Sequence, residues 1–217
     1  MEQTLTKTKY KVAETYFKLD VSFNKENNEK LEKIINSVVE KEILKLKYLS
    51  EFQYSEEIIY EIEFEEGSTK IRVLFFATIV NGLIFYGSLR QGLSQVYSDI
   101  KWLSENVITD ARQQDEIIGN NVIRTEKRTG LIGRLKRILD RIEYLQNNLN
   151  VIGNNQAQVE LTNLYQELAD IIQVLDLQER QTFVNNLPAE ISGNLPEPNE
   201  KRVIHFYNLY GLKPKEE

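Results

Sequence analysis

Phe17, Leu19, Val21 and Phe23 alternate with Lys18, Asp20 and Ser22, a period of two that sets one face of a strand on a core and the other in water. Asn24 is placed to cap a helix. Immediately after it Leu31, Ile34, Ile35, Val38, Val39 and Leu46 recur at helical spacing with Glu and Lys between them, which predicts an amphipathic helix over one sheet face. After Gln53 the period returns to two: Ile58, Tyr60, Ile62 and Phe64 face one way, and Glu57, Glu61, Glu63 and Glu65 face solvent. Glu65-Glu66-Gly67-Ser68 reads as a turn because Gly67 can take a positive φ. Lys70 to Val73 then resumes a strand whose Lys70 and Arg72 can lie opposite the glutamates.

From Val73 to Leu89 the chain is apolar almost without interruption. Beyond it three series step by three and four: Leu93, Val96, Ile100, Leu103, Val107, Ala111; Leu131, Leu135, Ile138, Ile142, Leu145, Leu149, Ile152; and Leu161, Leu164, Leu168, Ile171, Leu175. Such seams belong to helices packed at small crossing angles in a bundle or coiled coil. Gly119-Asn120-Asn121 separates the first seam from the second. Gly153-Asn154-Asn155-Gln156 separates the second from the third, which predicts an antiparallel pair. All four prolines, Pro188, Pro196, Pro198 and Pro214, fall at the C-terminal end and favour an extended tail. Val203 to Tyr210 within it is apolar enough to dock on the body or on a neighbour.

The expected fold class is therefore α+β: a small β-α-β-β head over residues 8–76, an antiparallel bundle of about three long helices over 77–187 whose first helix is apolar, and a docked proline-containing tail over 188–217.

Composition narrows the chemistry. The chain has 217 residues, 41% hydrophobic and 28% charged, a globular balance that needs neither disulfide nor metal to fold. It has no cysteine, which removes disulfides, thiolate metal sites and cysteine nucleophiles. Its one histidine, His205, sits in an apolar-aromatic stretch with no acid closer than Glu200 and reads as a packing residue. Phosphate-cradling, nucleophile-elbow and zinc-hydrolase motifs are all missing from the sequence. The expectation is a protein that is not an enzyme, with no catalytic, cofactor or metal residues. The N-terminal sequence lacks the apolar stretch of a secretory signal, and a cytoplasmic location is expected, with peripheral or inserted membrane association as the alternative.

The net charge of -6 argues against a general nucleic-acid binder, yet charge is unevenly placed. Between Arg124 and Arg141 lie Arg124, Lys127, Arg128, Arg134, Lys136, Arg137 and Arg141 against Glu126 and Asp140. Read as one amphipathic helix, this stretch offers a cationic outer face to anionic lipid, nucleic acid or an acidic partner, or else a solvated face paired with acidic neighbours. Arg124, Lys127, Arg128, Arg134, Arg137 and Arg141 are the candidate contacts. The apolar run offers a second choice. As a helix its seventeen residues span about 25 Å against roughly 30 Å of bilayer hydrocarbon. The run reads either as the end of the third strand leading into a central helix, or as a segment in contact with a membrane. Phe75, Phe76, Ile79, Leu83, Phe85 and Tyr86 are its candidate partner or membrane contacts.

These features favour a non-enzymatic protein–protein interaction function, a self-associating subunit or adaptor of a larger assembly. Its alternatives are a membrane-active effector using residues 73–89 and a nucleic-acid accessory protein using residues 124–141.

Overall fold

Strands β1 (Tyr10–Leu19), β2 (Ile59–Phe64), β3 (Lys70–Ala77) and β4 (Val122–Arg128) form one antiparallel sheet in the order β2-β3-β1-β4 in the computed structural model, which describes residues 8–20, 25–49, 58–65, 70–78, 88–114 and 116–211. The register fixes the two faces. Phe17 stands opposite Ile71 and Thr125, and Thr15 opposite Val73 and Lys127, so these residues share a face with Ala13 and Phe75, and all but the β4 pair are fully buried. Glu14, Tyr16, Arg72, Leu74 and Phe76 leave on the other face, where Arg72 reaches Glu63 at 3.9 Å and Arg128 reaches Glu14 at 3.1 Å.

Helix α1 (Lys25–Leu49) buries Leu31, Ile35, Val38, Val39 and Leu46 of the seam its spacing predicts, leaves Ile34 half-buried, and adds Ile43. Helix α2 (Leu89–Gln114) packs along α1 and leans on β1 and β4, and every member of its predicted seam is buried. The short α3 (Glu116–Asn121) leads into β4. Helix α4 (Gly130–Asn147) packs on β1 and α2; after the single-turn α5 (Leu149–Ile152), α6 (Asn154–Ile171) packs back on α4. Arg134 pairs with Glu167, and Arg141 with Glu160 at 2.6 Å. Seven steps forward along α4 are seven steps back along α6, so the pair is antiparallel as the polar break at Gly153 predicts. A 3-10 turn (Ile172–Val174), α7 (Leu177–Asn185), α8 (Ala189–Ser192) and α9 (Glu200–Tyr210) complete the chain.

Several expectations are corrected. Val73 to Ala77 is the end of the third strand, as one reading of the run expects, and not the start of a helix over residues 73–89, as the membrane-active alternative needs: the run lacks alternation because both faces of β3 are covered, Val73 and Phe75 on one and Leu74 and Phe76 on the other. Residues 124–141 are not one helix either. Arg124, Lys127 and Arg128 lie on β4, a strand not expected here, and only Arg134, Arg137 and Arg141 lie on α4. The break is local. Gly130 has φ +46°, and a Cβ there would stand 2.4 Å from the Lys11 carbonyl oxygen, so the chain turns from strand to helix against β1 at a position only glycine fits. β4 pairs beside β1, so the sheet draws on both sides of the boundary expected at residue 77. Nor do the three seams form a bundle apart from the sheet: α2 and α4 rest on it, and α6 stacks outside α4.

The C-terminal region is helical rather than extended. Pro188 precedes α8, Pro196 and Pro198 lie in the connection after it, and Asn199 then caps α9, its Oδ1 accepting the Arg202 N–H at 3.3 Å. Val21, Phe23, Asn24, Glu57 and the Glu66-Gly67-Ser68 turn lie outside the described residues. Among the described residues, no helix is long and apolar enough to cross a membrane, and no group of three or more His, Asp or Glu is placed to hold a metal ion.

Candidate functional site

Helix α9 has the composition of an element covered on both sides. Of its eleven residues, Val203, Ile204, Phe206, Tyr207, Leu209 and Tyr210 are apolar or aromatic. Phe206 and Tyr210, one turn apart with rings 6.4 Å between centroids, make the docked face, and Phe206 is 8% exposed. The helix packs on α6, on the 3-10 turn and on β1.

Its start is held by polar bonds. Asp170, fully buried on α6, accepts the Asn199 backbone N–H at 2.6 Å and the Gln166 amide at 2.9 Å through Oδ1, while Oδ2 pairs with Arg202 at 2.9 Å. Gln166 also donates to the Glu197 carbonyl. A buried carboxylate with this many donors is compensated.

The rest of the apolar surface of α9 stays open. Ile204 is 60% exposed, Tyr207 46% and Leu209 39%. Ile204 and Tyr207, three residues apart, are neighbours on the helix surface. Beside Ile204 lies a concavity of about 420 Å³ lined by Gln173, Arg180, Pro198 and Val203. Its floor is fixed in part by Arg180, which donates to the Gln173 and Leu175 carbonyls at 3.0 Å. His205, expected to pack, is exposed, with its ring 5.7 Å from that of Phe206.

On its other flank α9 closes a cleft of about 330 Å³. Lys11, Ala13 and Glu14 of β1, Lys127 and Arg128 of β4, Gly130, Arg137 of α4, and Leu209 and Tyr210 line it. Of the cations in this lining, Lys11 and Arg128 meet Glu14, whereas Lys127 lies on the sheet face shared with Thr15 and turns toward α2. Glu14, which is buried, accepts from Arg128 at 3.1 Å and lies 3.8 Å from the Lys11 ammonium. Glu126 also binds Arg128, at 2.9 Å, and that bond holds the guanidinium pKa above its ordinary value. Lys127 reaches Glu105 of α2 at 2.6 Å, and this bond lowers the Glu105 carboxyl pKa. Burial raises the Tyr210 phenol above its usual range, against the opposing pull of the Arg134 and Arg137 charges.

The basic residues singled out by the sequence are mostly paired. Arg124 binds Glu126 at 2.5 Å, Arg134 binds Glu167, Lys136 binds Asp140, and Arg141 binds Glu160 and stacks on Tyr144, 4.9 Å from its ring centroid. Among the described residues Arg137 has no carboxylate partner. A continuous cationic face is therefore replaced by ion pairs, with Arg137 the exception.

Of the apolar candidates, Phe75 is fully buried in the core and Phe76 is 6% exposed, so neither is presented to a partner or a membrane. Both are tied up by the strand. Ile79, Leu83, Phe85 and Tyr86 lie outside the described residues. A further cavity of about 460 Å³ between Leu89, Leu139 and Ile191 is lined by the Arg90–Glu143 ion pair and by Glu190.

The apolar stretch of α9 is visible in the sequence but its two faces are not, and Lys11 and Glu14 give no sequence signal, since they enter the cleft only because β1 pairs with β4. No protein-family model, no curated protein and no solved structure matches this chain, so the geometry around α9 is what bears on function.

Proposed function

We propose that the protein is a non-enzymatic, self-associating subunit whose contact with a second copy of itself is made by the outer surface of α9. The observation that carries this reading is that α9 is apolar on both sides while its own chain covers one. Large apolar side chains left open beside a docked face mark a contact surface. A second copy is the favoured occupant because an isologous contact needs only the surface already present: the exposed Ile204 and Tyr207 of each copy meet the concavity beside Ile204 of the other. The ion pairing of residues 124–141 also supports a protein rather than a nucleic-acid partner, because paired cations release few counterions on binding phosphates.

Light scattering on the full chain across a concentration series tests the proposal. The mass rises toward twice that of the monomer with concentration, and a variant carrying Ile204→Asp and Tyr207→Asp stays monomeric with its helical content unchanged. A wild-type chain that remains monomeric throughout overturns the proposal.

A further inference from the structure

Beyond self-association, we propose that the cavity walled by Leu89, Leu139, Pro188 and Ile191 binds a small organic amine, an apolar body carrying one ammonium group. Three stretches of chain build it: the first turn of α2, the C-terminal half of α4, and the connection from α7 into α8. Leu89, Leu139 and Ile191 are buried, so the apolar wall is fixed by core packing. The volume, about 460 Å³, lies within the range of small-molecule sites, which enclose an apolar body in such walls and orient it by a few polar groups. The lining residues lie on elements other than α9.

The polar atoms around the cavity select the head group. Asn186 donates its amide N–H to the Thr182 carbonyl at 2.9 Å, and Gln146 donates its amide N–H to the Tyr165 hydroxyl at 3.0 Å. Each keeps its side-chain carbonyl oxygen as an acceptor. Ser88 caps α2, its Oγ accepting the Gln91 N–H at 3.2 Å. Charge favours the same ligand. Arg90 is bonded to Glu143 and lies 4.0 Å from Asp140, which also pairs with Lys136. These two cations are thus met by Asp140 and Glu143. Glu190, exposed on α8, is a further carboxylate of the lining and has no cationic partner among the described residues. The surplus is one negative charge beside an apolar hollow. An ammonium group brings three N–H donors and one positive charge, which matches that carboxylate and the two carbonyl oxygens. A carboxylate ligand meets Glu190 as a like charge, and an alcohol satisfies an acceptor without neutralising it.

Calorimetry and thermal shift on the full chain at neutral pH test the proposal with two probe series. Tryptamine, tryptophol and indoleacetate share one apolar body and differ in head group, as do hexylamine, hexanol and hexanoate. The amine of at least one series is expected to bind and raise the melting temperature. It should bind at least about tenfold more tightly than the alcohol of its series, the worth of one charged hydrogen-bond pair, with the carboxylate weakest. Glu190→Gln should bring the amine down to the affinity of its alcohol and leave the alcohol unchanged. Glu32→Gln, exposed on α1, should change neither. Absence of binding by both amines, an alcohol or carboxylate that binds as tightly as its amine, or a Glu190→Gln variant with full amine affinity overturns the proposal, and none of these results bears on self-association.

Discussion

The Asp170 carboxylate and the backbone N–H of Asn199, 2.6 Å apart and separated by 29 residues in sequence, join the third seam helix to the first turn of α9. Because Asp170 is fully buried, Asp170→Ala leaves the Asn199 N–H and the Gln166 amide without their acceptor and should cost about 2–4 kcal/mol in urea unfolding. Arg202→Ala should cost less, since both donors to Asp170 Oδ1 remain in that variant. Equal losses in the two variants would contradict the assignment of Asp170 as the anchor.

A second carboxylate sets a pH dependence. Asp99 on α2 is 8% exposed, accepts one hydrogen bond from Gln95 at 3.0 Å, and its Oδ2 has no partner among the described residues. Burial pushes its pKa up to about 6 from an ordinary 3.8. The folded chain therefore holds this proton to higher pH than the unfolded chain does. The contribution of Asp99 is most favourable below about pH 4 and is lost as pH rises through about 6. Asp99→Asn should stabilise the protein by about 1–3 kcal/mol at pH 7 and flatten this part of the profile. Melting curves across the range check it; a variant less stable than wild type at neutral pH contradicts it.

The strand-to-helix turn makes a contrasting pair of glycines. Gly130→Ala forces a side chain into φ +46° and against the Lys11 carbonyl oxygen at 2.4 Å, so a loss above about 2 kcal/mol is expected. Gly153 has φ +91° but nothing within 4 Å of an added Cβ, and Gly153→Ala should cost about 1 kcal/mol from backbone strain only. Denaturant midpoints of the two variants give the comparison, and the reverse order would contradict the close approach of Gly130 to β1.

How much of the fold is legible in the sequence depends on how many sides of an element are covered. The glutamates of β2 and the seams of α1, α2, α4 and α6 each meet a core on one side and water on the other, so period two and period 3.6 report them directly. β1 is central, flanked by β3 and β4, and Lys11 to Tyr16 does not alternate because a bulge between Lys11 and Ala13 and cover on both sides erase the period. β3 is hidden for the same reason inside Val73 to Ala77. β4, an edge strand of mostly charged residues, carries no apolar signal and is held by its pairing with β1. The cleft is only half legible. Lys127, Arg128 and Arg137 stand in the basic stretch, but their neighbour Lys11 is more than a hundred residues away and reaches them through that same pairing.

Because the chain contains no cysteine, single introduced cysteines report the proposed contact most directly. Tyr207→Cys, on the outer side of α9, should form a disulfide-linked dimer under mild oxidation much faster than Val151→Cys or Leu44→Cys, which are more exposed but lie elsewhere, and adding Ile204→Asp should slow the reaction to their rate. Crosslinking at position 207 no faster than at positions 151 and 44 would contradict the account of α9 as the surface between two copies.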